Sequence, residues 1–429
     1  MKKVLIIGAG ASGLSCAKTL SDAGVACQIL EARNRIGGRI WTLQASPAHN
    51  VELGAEFIHG AQKELIDLLE QHQLSFEDLL DHHLERKDSE LKNISGFWEK
   101  VEKVNALLNP KIKKDRSMQD FLIAHRKKIS TLKDLYVSYL EGFQAMDLHL
   151  AGEKGLAESE KKEVPELNGQ SQFRPLPGYS SVMEGLFKDI QLSSTEIHFE
   201  HEVQQVLTNA KNPAVVALNL KKNKLQNFAA PFLVLALPVG VLKSSLYFDP
   251  PLPDLTQALR TVETGHALRI TFQFKERFWE SLSKKPVAFL HIDPREYFPT
   301  WWTQMPRRTP FLTAWQGGPK AFEISHLKES EQVQLALQTL SKITDLSFTA
   351  LKKYYVNHFV HNWTLDPYAR GAYSYVGVHE KTSWKRLQKP FHENIYLAGE
   401  ALSEGADRGT VQGALKSGRE AAEKILRRL

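Results

Sequence analysis

Three glycines near the N-terminus have the spacing of a phosphate-binding loop. Gly8, Gly10 and Gly13 form the pattern G-x-G-x-x-G between an apolar run and a helical pattern, and Glu31 ends the next apolar run. In such loops the first glycine permits a tight turn, the second lets the backbone approach a pyrophosphate, and the third lets the helix pack on the strand. The N–H groups at the helix start favour phosphate, and Glu31 would accept hydrogen bonds from ribose hydroxyls. The pattern predicts a dinucleotide site; a glycine turn without a ligand is the alternative.

A second segment with glycines and a cation follows the first. Gly37 and Gly38 allow another close approach of the backbone to a cofactor, and Arg39 offers a charge-assisted contact to its phosphate. An exposed arginine without a partner is the other interpretation of Arg39. A nucleotide-binding loop does not by itself decide between FAD and NAD.

The elements that would hold these loops lie at both ends of the chain. Strand, helix and strand patterns cover residues 3–30, and a last strand and helix are predicted over Asn394–Ala398 and Gly409–Leu429. Apolar spacings of three or four residues predict a helical block from Gln62 to about Leu150, and short apolar runs after Thr195 predict strands. We therefore predict an α/β fold in which a second domain is inserted into a discontinuous cofactor domain. The predicted ranges are 1–61, 172–252 and 371–429 for the cofactor domain, and 62–171 and 253–370 for the inserted domain, a helical insert plus a mixed sheet.

Composition and charge exclude several classes of protein. The 429 residues carry a net charge of +6, and their basic residues are interspersed with acidic ones, which indicates solvated faces and argues against nucleic-acid binding. The longest apolar stretch, Phe232–Leu242, contains Pro238 and Gly240 and is shorter than the roughly 20 residues that span a bilayer. No H-E-x-x-H or C-x-x-C pattern occurs, so no metal site is predicted. We expect a soluble, cytoplasmic protein without a membrane partner; its oligomeric state stays open.

The segment Glu31–Arg39, E-A-x-x-R-x-G-G-R, resembles the signature of the flavin amine oxidase superfamily, which includes monoamine oxidases, polyamine oxidases and histone lysine demethylases. Asn394–Glu400 is similar to the family strand that delivers Gly-Glu to the cofactor, and Thr410–Ala414 to the helix start beneath the flavin ring. The resemblance implies FAD in a Rossmann-like domain of the glutathione-reductase-2 type, with an inserted α+β substrate-binding domain. It assigns cofactor binding to Gly8, Gly10, Ala11, Ser12, Gly13, Glu31, Ala32, Arg33, Gly38, Arg39, Gly54, Ala55, Glu56, Val203, Trp363, Gly399, Glu400, Thr410 and Val411.

The resemblance also extends to the reacting face of the flavin. Leu53–Gly60 is similar to the L-G-A-x-x-I-H-G segment of polyamine oxidases, in which the small Gly54 and Ala55 let the flavin ring lie close. His59 would hold a proton or orient the substrate, because the pKa of histidine lies near working pH; a structural histidine is the alternative. Glu56 would attract a cationic amine or be solvated.

Trp363–Tyr375, W-x-x-D-P-x-x-R-G-x-Y-S-Y, is similar to a stretch of lysine demethylases and polyamine oxidases. Tyr373 takes the place of one aromatic wall of the family's amine cage, where a cation on a ring face gains about 0.5–2 kcal/mol. Thr410 stands where monoamine oxidases have the second cage tyrosine, which argues against small arylalkylamines and favours a longer or bulkier amine. Ala372 stands where mitochondrial monoamine oxidases carry the cysteine tethered to FAD, so a non-covalent cofactor is expected.

Arg269 is the largest departure from the family, because it occupies the position of the lysine that holds a water against flavin N5. An arginine keeps a positive charge near the reduced flavin but cannot serve as a base. Tyr139–Phe143 and Arg174–Tyr179 resemble segments of bacterial members and are expected to line or roof the substrate cavity, with ordinary packing as the alternative. The residues assigned to catalysis are Arg269, Tyr373, His59 and Thr410.

The predicted activity is FAD-dependent amine oxidation. A neutral amine, with polyamines or substituted amines favoured, would give up a hydride from the carbon beside its nitrogen to flavin N5. The imine would then be hydrolysed, and dioxygen would reoxidise the flavin with release of hydrogen peroxide. Two alternatives stay open on the evidence of Arg269 and Thr410. One is a dehydrogenase or desaturase-like enzyme acting on a non-amine substrate, and the other is a non-catalytic FAD-binding redox partner.

Overall fold

A computed structural model describes residues 3–160, 164–191, 195–208, 212–378 and 384–429. The predicted domain ranges also include positions 1–2, 161–163, 192–194, 209–211 and 379–383, which lie outside the described residues. Numbered along the chain, the strands are β1 (Lys3–Ile7), β2 (Ala26–Leu30), β3 (Thr42–Ser46), β4 (His49–Glu52), β5 (Ile58–His59), β6 (Phe76–Asp78), β7 (His83–Lys87), β8 (Glu90–Ile94), β9 (Gln172–Pro175), β10 (Glu196–His198), β11 (His201–Leu207), β12 (Ala214–Asn219), β13 (Lys224–Ala229), β14 (Phe232–Leu235), β15 (Tyr247–Asp249), β16 (Val262–Thr264), β17 (Ala267–Phe274), β18 (Phe289–His291), β19 (Thr300–Thr303), β20 (Phe311–Gly317), β21 (Tyr355–Val360), β22 (Ser374–Val376) and β23 (Ile395–Leu397). The α-helices are α1 (Ala11–Asp22), α2 (Lys63–Gln71), α3 (Phe97–Asn105), α4 (Met118–His125), α5 (Lys133–Val137), α6 (Glu153–Ser159), α7 (Ser180–Gln191), α8 (Val239–Ser244), α9 (Pro253–Leu259), α10 (Gly318–Ser325), α11 (Glu329–Thr344), α12 (Phe348–Tyr354) and α13 (Val411–Leu426).

A five-stranded parallel sheet in the order β10-β2-β1-β14-β23 brings the two ends of the chain together, because β14 lies between β1 and β23. The strands β1, β14 and β23 are apolar on both faces, as expected for a parallel sheet that is covered on both sides. Val4 and Ile6 pack towards α1, α7 and α13, whereas Leu5 and Ile7 face the opposite core, which includes residues of β11, β12 and α9. This layered arrangement confirms the predicted α/β fold class.

A second sheet of seven strands has the order β21-β17-β20-β19-β18-β7-β8. Leu268, Ile270 and Phe272 of β17 pack with residues of α11 and α12 on one face of this sheet. Side chains alternate along a strand. Arg269 therefore lies on the other face, which is the face that looks towards the cofactor end of the molecule.

The strands of the two large sheets come from different parts of the sequence. The five-stranded sheet uses residues of the predicted cofactor ranges, and the seven-stranded sheet uses residues of the predicted inserted domain. A smaller sheet, β5-β9-β6, pairs strands from both sets of ranges and so crosses the predicted border. The division into domains stays a prediction.

The predicted helical block from Gln62 to Leu150 is partly wrong. It does contain helices, α2 to α5, but residues 76–94 form β6, β7 and β8 instead. α2 ends early, where Gln73 adopts a φ of +54°. β8 is an edge strand with mostly exposed polar side chains, so it has no alternating apolar pattern that would have revealed it. β7 forms a strand because it pairs with β18, which is distant in the sequence. The local spacing of apolar residues contains no information about such a pairing.

No helix among the described residues combines the length and the apolar character that a bilayer crossing requires.

Candidate functional site

A cavity of about 1640 Å³ extends from the loop after β1 to the helices α3 and α6. It exceeds the roughly 300–1,000 Å³ of a typical small-ligand site, so it has room for a large cofactor and a substrate together. Gly13 does not line it: a Cβ there would lie 1.9 Å from the carbonyl oxygen of Gly8, so Gly13 lets α1 pack against the loop. The predicted site residues that line the cavity are Gly8, Gly10, Ala11, Ser12, Glu31, Ala32, Arg33, Gly38, Arg39, Gly54, Ala55, Glu56, His59, Val203, Arg269, Trp363, Tyr373, Gly399, Glu400, Thr410 and Val411.

The glycine loop leaves the start of α1 open to the cavity. Gly8 has a φ of +103°, and a Cβ on it would lie 2.5 Å from the carbonyl oxygen of Ala236. A Cβ on Gly10, the N-cap of α1, would meet no atom of the described residues within 4 Å. The amide of Gly37 donates to the carbonyl of Ala9 at 2.9 Å, which holds the second glycine segment against the first. This open N-terminus can receive a phosphate.

The side chain of Glu31 stabilises the same loop through hydrogen bonds. Its carboxylate is buried and accepts hydrogen bonds from the amide of Ala9 and the amide of Arg33, both at 2.8 Å. Burial raises the pKa of Glu31, against the effect of these two hydrogen bonds. Each carboxylate oxygen can accept a further hydrogen bond. The contact to a ribose hydroxyl stays a prediction.

Arg33 and Arg39 both form ion pairs with distant carboxylates. Arg33 Nη2 lies 2.6 Å from Asp366 Oδ1, and Arg39 Nη1 lies 3.1 Å from Glu400 Oε1. Arg39 also donates to the carbonyl of Ala372. The alternative interpretation of Arg39 as an exposed, unpartnered arginine is therefore wrong. Because Glu400 is neutralised by Arg39, its buried carboxylate can lie at the edge of an anion-binding site; the phosphate contact of Arg39 stays a prediction.

Arg269 belongs to a buried charge cluster centred on Glu56. Arg269 Nη2 donates to Glu56 Oε2 at 2.7 Å, and its Nη1 donates to the carbonyl of Gly54 at 2.9 Å. Arg174 Nε donates to Glu56 Oε1 at 2.9 Å, and Trp302 Nε1 donates to Oε2 at 3.1 Å. Burial raises the pKa of Glu56, but Arg174 and Arg269 outweigh this effect and hold the pKa below its ordinary value.

Two expectations fail at this cluster. Glu56 is buried and its charge is already neutralised by two arginines, so it is neither solvated nor free to attract a cationic amine. The segment Arg174–Tyr179 does not line the cavity, because Arg174 is committed to Glu56 and Tyr179 packs in the core of the five-stranded sheet. The alternative of ordinary packing is correct for that segment.

Several features of the cavity suit a bound flavin. Arg269 Nε is buried and has no hydrogen-bond partner among the described residues, although Arg269 lines the cavity. Gly54 and Ala55 are small, and a Cβ on Gly54 would lie 1.8 Å from the carbonyl oxygen of Arg39. Trp363 is held by a hydrogen bond from its Nε1 to the carbonyl of Leu53 at 2.6 Å. One side of the site therefore combines the small residues Gly54 and Ala55, the fixed ring of Trp363 and the Nε of Arg269, which is unpaired within the described part of the chain.

His59 is neutral at working pH. Burial lowers the pKa of its ring from 6.5 to about 4, so the expectation that it titrates near neutrality is wrong. Its ring packs edge-to-face on Phe143 with centroids 5.6 Å apart, and its carbonyl accepts a hydrogen bond from Gln412. His59 can orient a substrate by packing, but it stores no proton at pH 7.

Tyr373 and Thr410, the two predicted cage positions, lie close to each other. A Cβ on Gly409, the residue before Thr410, would be 3.6 Å from the side chain of Tyr373. The Tyr373 hydroxyl donates to the carbonyl of Phe143, and burial raises the pKa of Tyr373. Thr410 is the N-cap of α13: its hydroxyl accepts from the amide of Gly413 at 3.0 Å and donates to the carbonyl of Asp407 at 2.7 Å. Sequence comparison alone had not indicated this capping role.

The cavity continues beyond Tyr373 into a lobe that the sequence predicts only in part. Tyr139 and Phe143, expected to line the substrate cavity, do so from a π-helix, Ser138–Phe143. Trp98 and Asn105 of α3 and Glu160 at the end of α6 complete this part of the wall. The polar composition of residues 152–171 predicts a loop, but Glu153–Ser159 form α6 instead, and no local pattern marks Glu160 as a lining residue.

A chain of hydrogen-bonded side chains lines the same lobe. His83 is 2.8 Å from His291 and 2.7 Å from Asp81, and its ring stacks on Phe289 with centroids 4.5 Å apart. Burial lowers the pKa of His291 to about 3. Among the described positions, no group of three His, Cys, Asp or Glu side chains is arranged to hold a metal ion.

Known proteins match this chain over nearly its whole length. A family model described as flavin containing amine oxidoreductase matches residues 11–426. The sequence is 27% identical to a probable polyamine oxidase 4 of Arabidopsis thaliana, covering 99% of this chain and 87% of the relative. It is 26% identical to lysine-specific histone demethylase 2 of Homo sapiens, covering 99% of this chain and 53% of the relative. The fold is similar to a solved structure of putrescine oxidase bound to putrescine, with a TM-score of 0.81, 18% sequence identity and 99% of both chains covered.

Proposed function

Because this chain belongs to the flavin containing amine oxidoreductases, we propose that it oxidises a polyamine or another substituted amine rather than a small arylalkylamine. It is an oxidoreductase that acts on CH–NH or CH–NH2 groups, with FAD as its cofactor. When bound, FAD supplies the acceptor for a hydride from the carbon beside the amine nitrogen.

The shape of the cavity beyond Tyr373 is the observation that carries the choice of substrate. Thr410 is small and its hydroxyl is committed to the cap of α13, so the second wall of the amine cage is not aromatic. The cavity extends from there past Phe143 to Glu160. A small arylalkylamine would leave this lobe empty, whereas an extended amine would fill it and bury more of its surface. Relatives named polyamine oxidase and putrescine oxidase agree with an extended substrate.

The charges around the reacting end favour the neutral form of the amine. Arg269 lines the cavity and shares the carboxylate of Glu56 with Arg174, which also lies 3.7 Å from Glu77. A cation nearby lowers the pKa of a bound ammonium group. His59 is neutral and the hydroxyl of Tyr373 is engaged with Phe143, so neither side chain is arranged to store the released proton. We therefore expect the rate of amine oxidation to rise with pH up to the pKa of the bound amine.

Imine hydrolysis and reoxidation by dioxygen with release of hydrogen peroxide complete the proposed reaction. Arg269 stands where the resemblance places a lysine, and an arginine fixed by Glu56 and Gly54 is bulkier and cannot act as a base. This replacement is the one observation that favours a second candidate, a dehydrogenase that passes its electrons to an acceptor other than dioxygen.

Anaerobic mixing of the purified yellow protein with a panel of amines tests the proposal. Loss of the oxidised flavin absorption reports amine oxidation without a need for oxygen. Spermine and N-alkylated diamines should bleach the flavin faster than benzylamine. Faster bleaching by benzylamine would contradict the choice of substrate, and no bleaching by any amine would contradict amine oxidation itself. Mixing the reduced protein with dioxygen afterwards distinguishes an oxidase from a dehydrogenase.

A further inference from the structure

We propose that Glu160 binds a second ammonium group of the substrate, so that the enzyme recognises amines with two cationic centres rather than monoamines. This inference rests on the proposed amine oxidase function and assigns the recognition of the distant end of the substrate to one carboxylate.

Glu160 is held only by neutral donors. Its Oε1 accepts from the hydroxyl of Tyr139 at 2.8 Å, and its Oε2 accepts from the side-chain amide of Asn105 at 2.7 Å. Gln144 Nε2 lies 3.4 Å from Oε1. Within the part of the chain that the structure describes, no lysine, arginine or histidine forms an ion pair with it. Burial raises the pKa of Glu160, against the hydrogen bonds from Tyr139 and Asn105.

Several buried carboxylates of this fold have cationic partners, although Glu31 and Glu52 are held by neutral donors, as Glu160 is. Glu153 begins the same helix, α6, and is paired with Arg116 Nε at 2.6 Å. Glu56 is paired with two arginines, and Glu400 with Arg39. Glu160 also caps the C-terminal end of α6, where the partial negative charge of the helix disfavours a carboxylate. A charge buried without a counter-ion is costly unless a ligand supplies that counter-ion.

Aromatic contacts connect Glu160 to the reacting end of the cavity. The Tyr373 hydroxyl bonds the carbonyl of Phe143, the ring of Phe143 stacks on Tyr139 with centroids 5.7 Å apart, and the hydroxyl of Tyr139 bonds Glu160. Trp98 packs edge-to-face on Phe143 at 5.4 Å. These side chains line the same cavity. The methylene chain of a diamine could lie along this apolar wall with one nitrogen at each end.

The charges along the cavity would orient such a substrate. Arg269, beside the reacting end, favours a neutral nitrogen there, whereas Glu160 favours a cation at the far end. Glu102 and Asp81 also line the lobe, and His291, whose pKa is lowered to about 3, adds no positive charge to it at neutral pH. A cationic side chain, Arg269, thus lines the reacting end, and a carboxylate without a cationic partner among the described residues, Glu160, lines the far end, which favours a half-protonated diamine in one orientation.

The test compares α,ω-diamines with n-alkylamines of the same chain length in the wild type and in two variants, Glu160→Gln and Glu99→Gln. Anaerobic flavin reduction gives the half-saturating amine concentration and the limiting rate for each pair. In the wild type, the diamine should bind more tightly than the n-alkylamine. Glu160→Gln should weaken diamine binding by roughly 30-fold and leave n-alkylamine binding and the limiting rate nearly unchanged. Glu99→Gln removes an exposed charge of the same sign on α3 that does not line the cavity, and it should change diamine binding by less than about threefold.

The outcomes separate the inference from the proposed function. If n-alkylamines and diamines bind equally well to the wild type, the inference is wrong even if Glu160→Gln fails to fold. If Glu160→Gln weakens both kinds of amine alike, Glu160 has only a structural role, and the inference is again wrong. If no amine reduces the flavin of the wild type, the amine oxidase proposal itself has failed.

Discussion

Arg39 Nη1 lies 3.1 Å from Glu400 Oε1, although the two residues are 361 positions apart in the sequence. Glu400 Oε2 accepts two further hydrogen bonds, from the hydroxyl of Ser374 at 2.7 Å and from its amide at 3.3 Å. The ion pair thus joins the glycine segment after β2 to the segment after β23, at the wall of the cavity. Both ends of the chain must be in place before the cofactor site is complete.

Removal of this ion pair should lower both the stability of the protein and its FAD content. In Arg39→Ala the buried carboxylate of Glu400 loses its cation, so we expect a loss of about 3 kcal/mol in the free energy of unfolding and a lower FAD content per chain. Urea denaturation and the ratio of flavin to protein absorbance measure the two effects. Lys18→Ala is the control, because Lys18 pairs with Asp22 on the exposed face of α1 and should contribute less than about 0.5 kcal/mol. Equal stability and equal FAD content in the two variants would show that the Arg39–Glu400 pair has no structural role.

The sequence predicts the cofactor loops well because their signals are local. The spacing of Gly8, Gly10 and Gly13 sets a turn and a helix start within a few residues, and the structure places them as expected. Arg39 and Glu400 were each found in separate motifs, but their pairing was not predicted. A pairing across the whole chain depends on the sheet order β1-β14-β23, which no local pattern contains.

The surroundings of the reacting site could not be predicted for a related reason. The Glu56 carboxylate is surrounded by Arg174 of β9 and Arg269 of β17, two strands that belong to different sheets. The sequence therefore could not show that the Glu56 carboxylate is buried. The low pKa of His59 has the same origin, since only the folded chain reveals its burial. Glu160 depends on Asn105 and Tyr139, which belong to two different helical elements. Residue type predicts possible chemistry, and long-range packing decides which chemistry remains available.

Arg269→Lys should accelerate the reaction of the reduced enzyme with dioxygen, on the order of tenfold. Lysine restores the residue type that the family resemblance places there, and its single ammonium group cannot keep both contacts of Arg269, to Glu56 and to the carbonyl of Gly54. Stopped-flow mixing of the reduced protein with oxygenated buffer measures the rate. Arg174→Lys is a matched control: Arg174 also contacts Glu56 but does not line the cavity, so the rate should stay unchanged. Unchanged reoxidation in Arg269→Lys would remove the proposed reason for slow use of dioxygen.

Glu52 should make the stability of the protein depend on pH. Its buried carboxylate accepts hydrogen bonds from Thr42 and from the amide of Tyr179, both at 2.8 Å. Burial raises its pKa from 4.5 to about 7. Between these values the folded protein keeps a proton that the unfolded chain has released. The stabilisation from Glu52 is therefore fully present below pH 4.5 and is lost as the pH rises to 7, by about 3 kcal/mol in total.

Glu52→Gln removes this titration. Relative to the wild type, the variant should gain about 3 kcal/mol in the free energy of unfolding between pH 4.5 and pH 8. Denaturant unfolding of the FAD-bound protein at several pH values measures this difference. The exposed residue Glu70 provides the control, since Glu70→Gln should leave the pH dependence of the wild type intact. Parallel curves for Glu52→Gln and the wild type would mean that Glu52 is ionised in the folded state at acidic pH.

Thr410→Tyr should shift the preference of the enzyme from extended amines towards benzylamine. The new ring would lie beside Tyr373 and complete an aromatic cage, worth about 0.5–2 kcal/mol for an amine nitrogen that becomes partly positive as it loses the hydride, while it narrows the way to Glu160. The variant also loses the N-cap of α13, which should lower the free energy of unfolding by about 0.5–2 kcal/mol. Thr410→Ser keeps the cap, and Thr410→Ala removes it without adding a ring. Anaerobic flavin reduction by benzylamine and spermine then separates the two effects. If Thr410→Ala changes the ratio of the two rates as much as Thr410→Tyr does, the cap of α13 rather than the missing ring controls the choice of substrate.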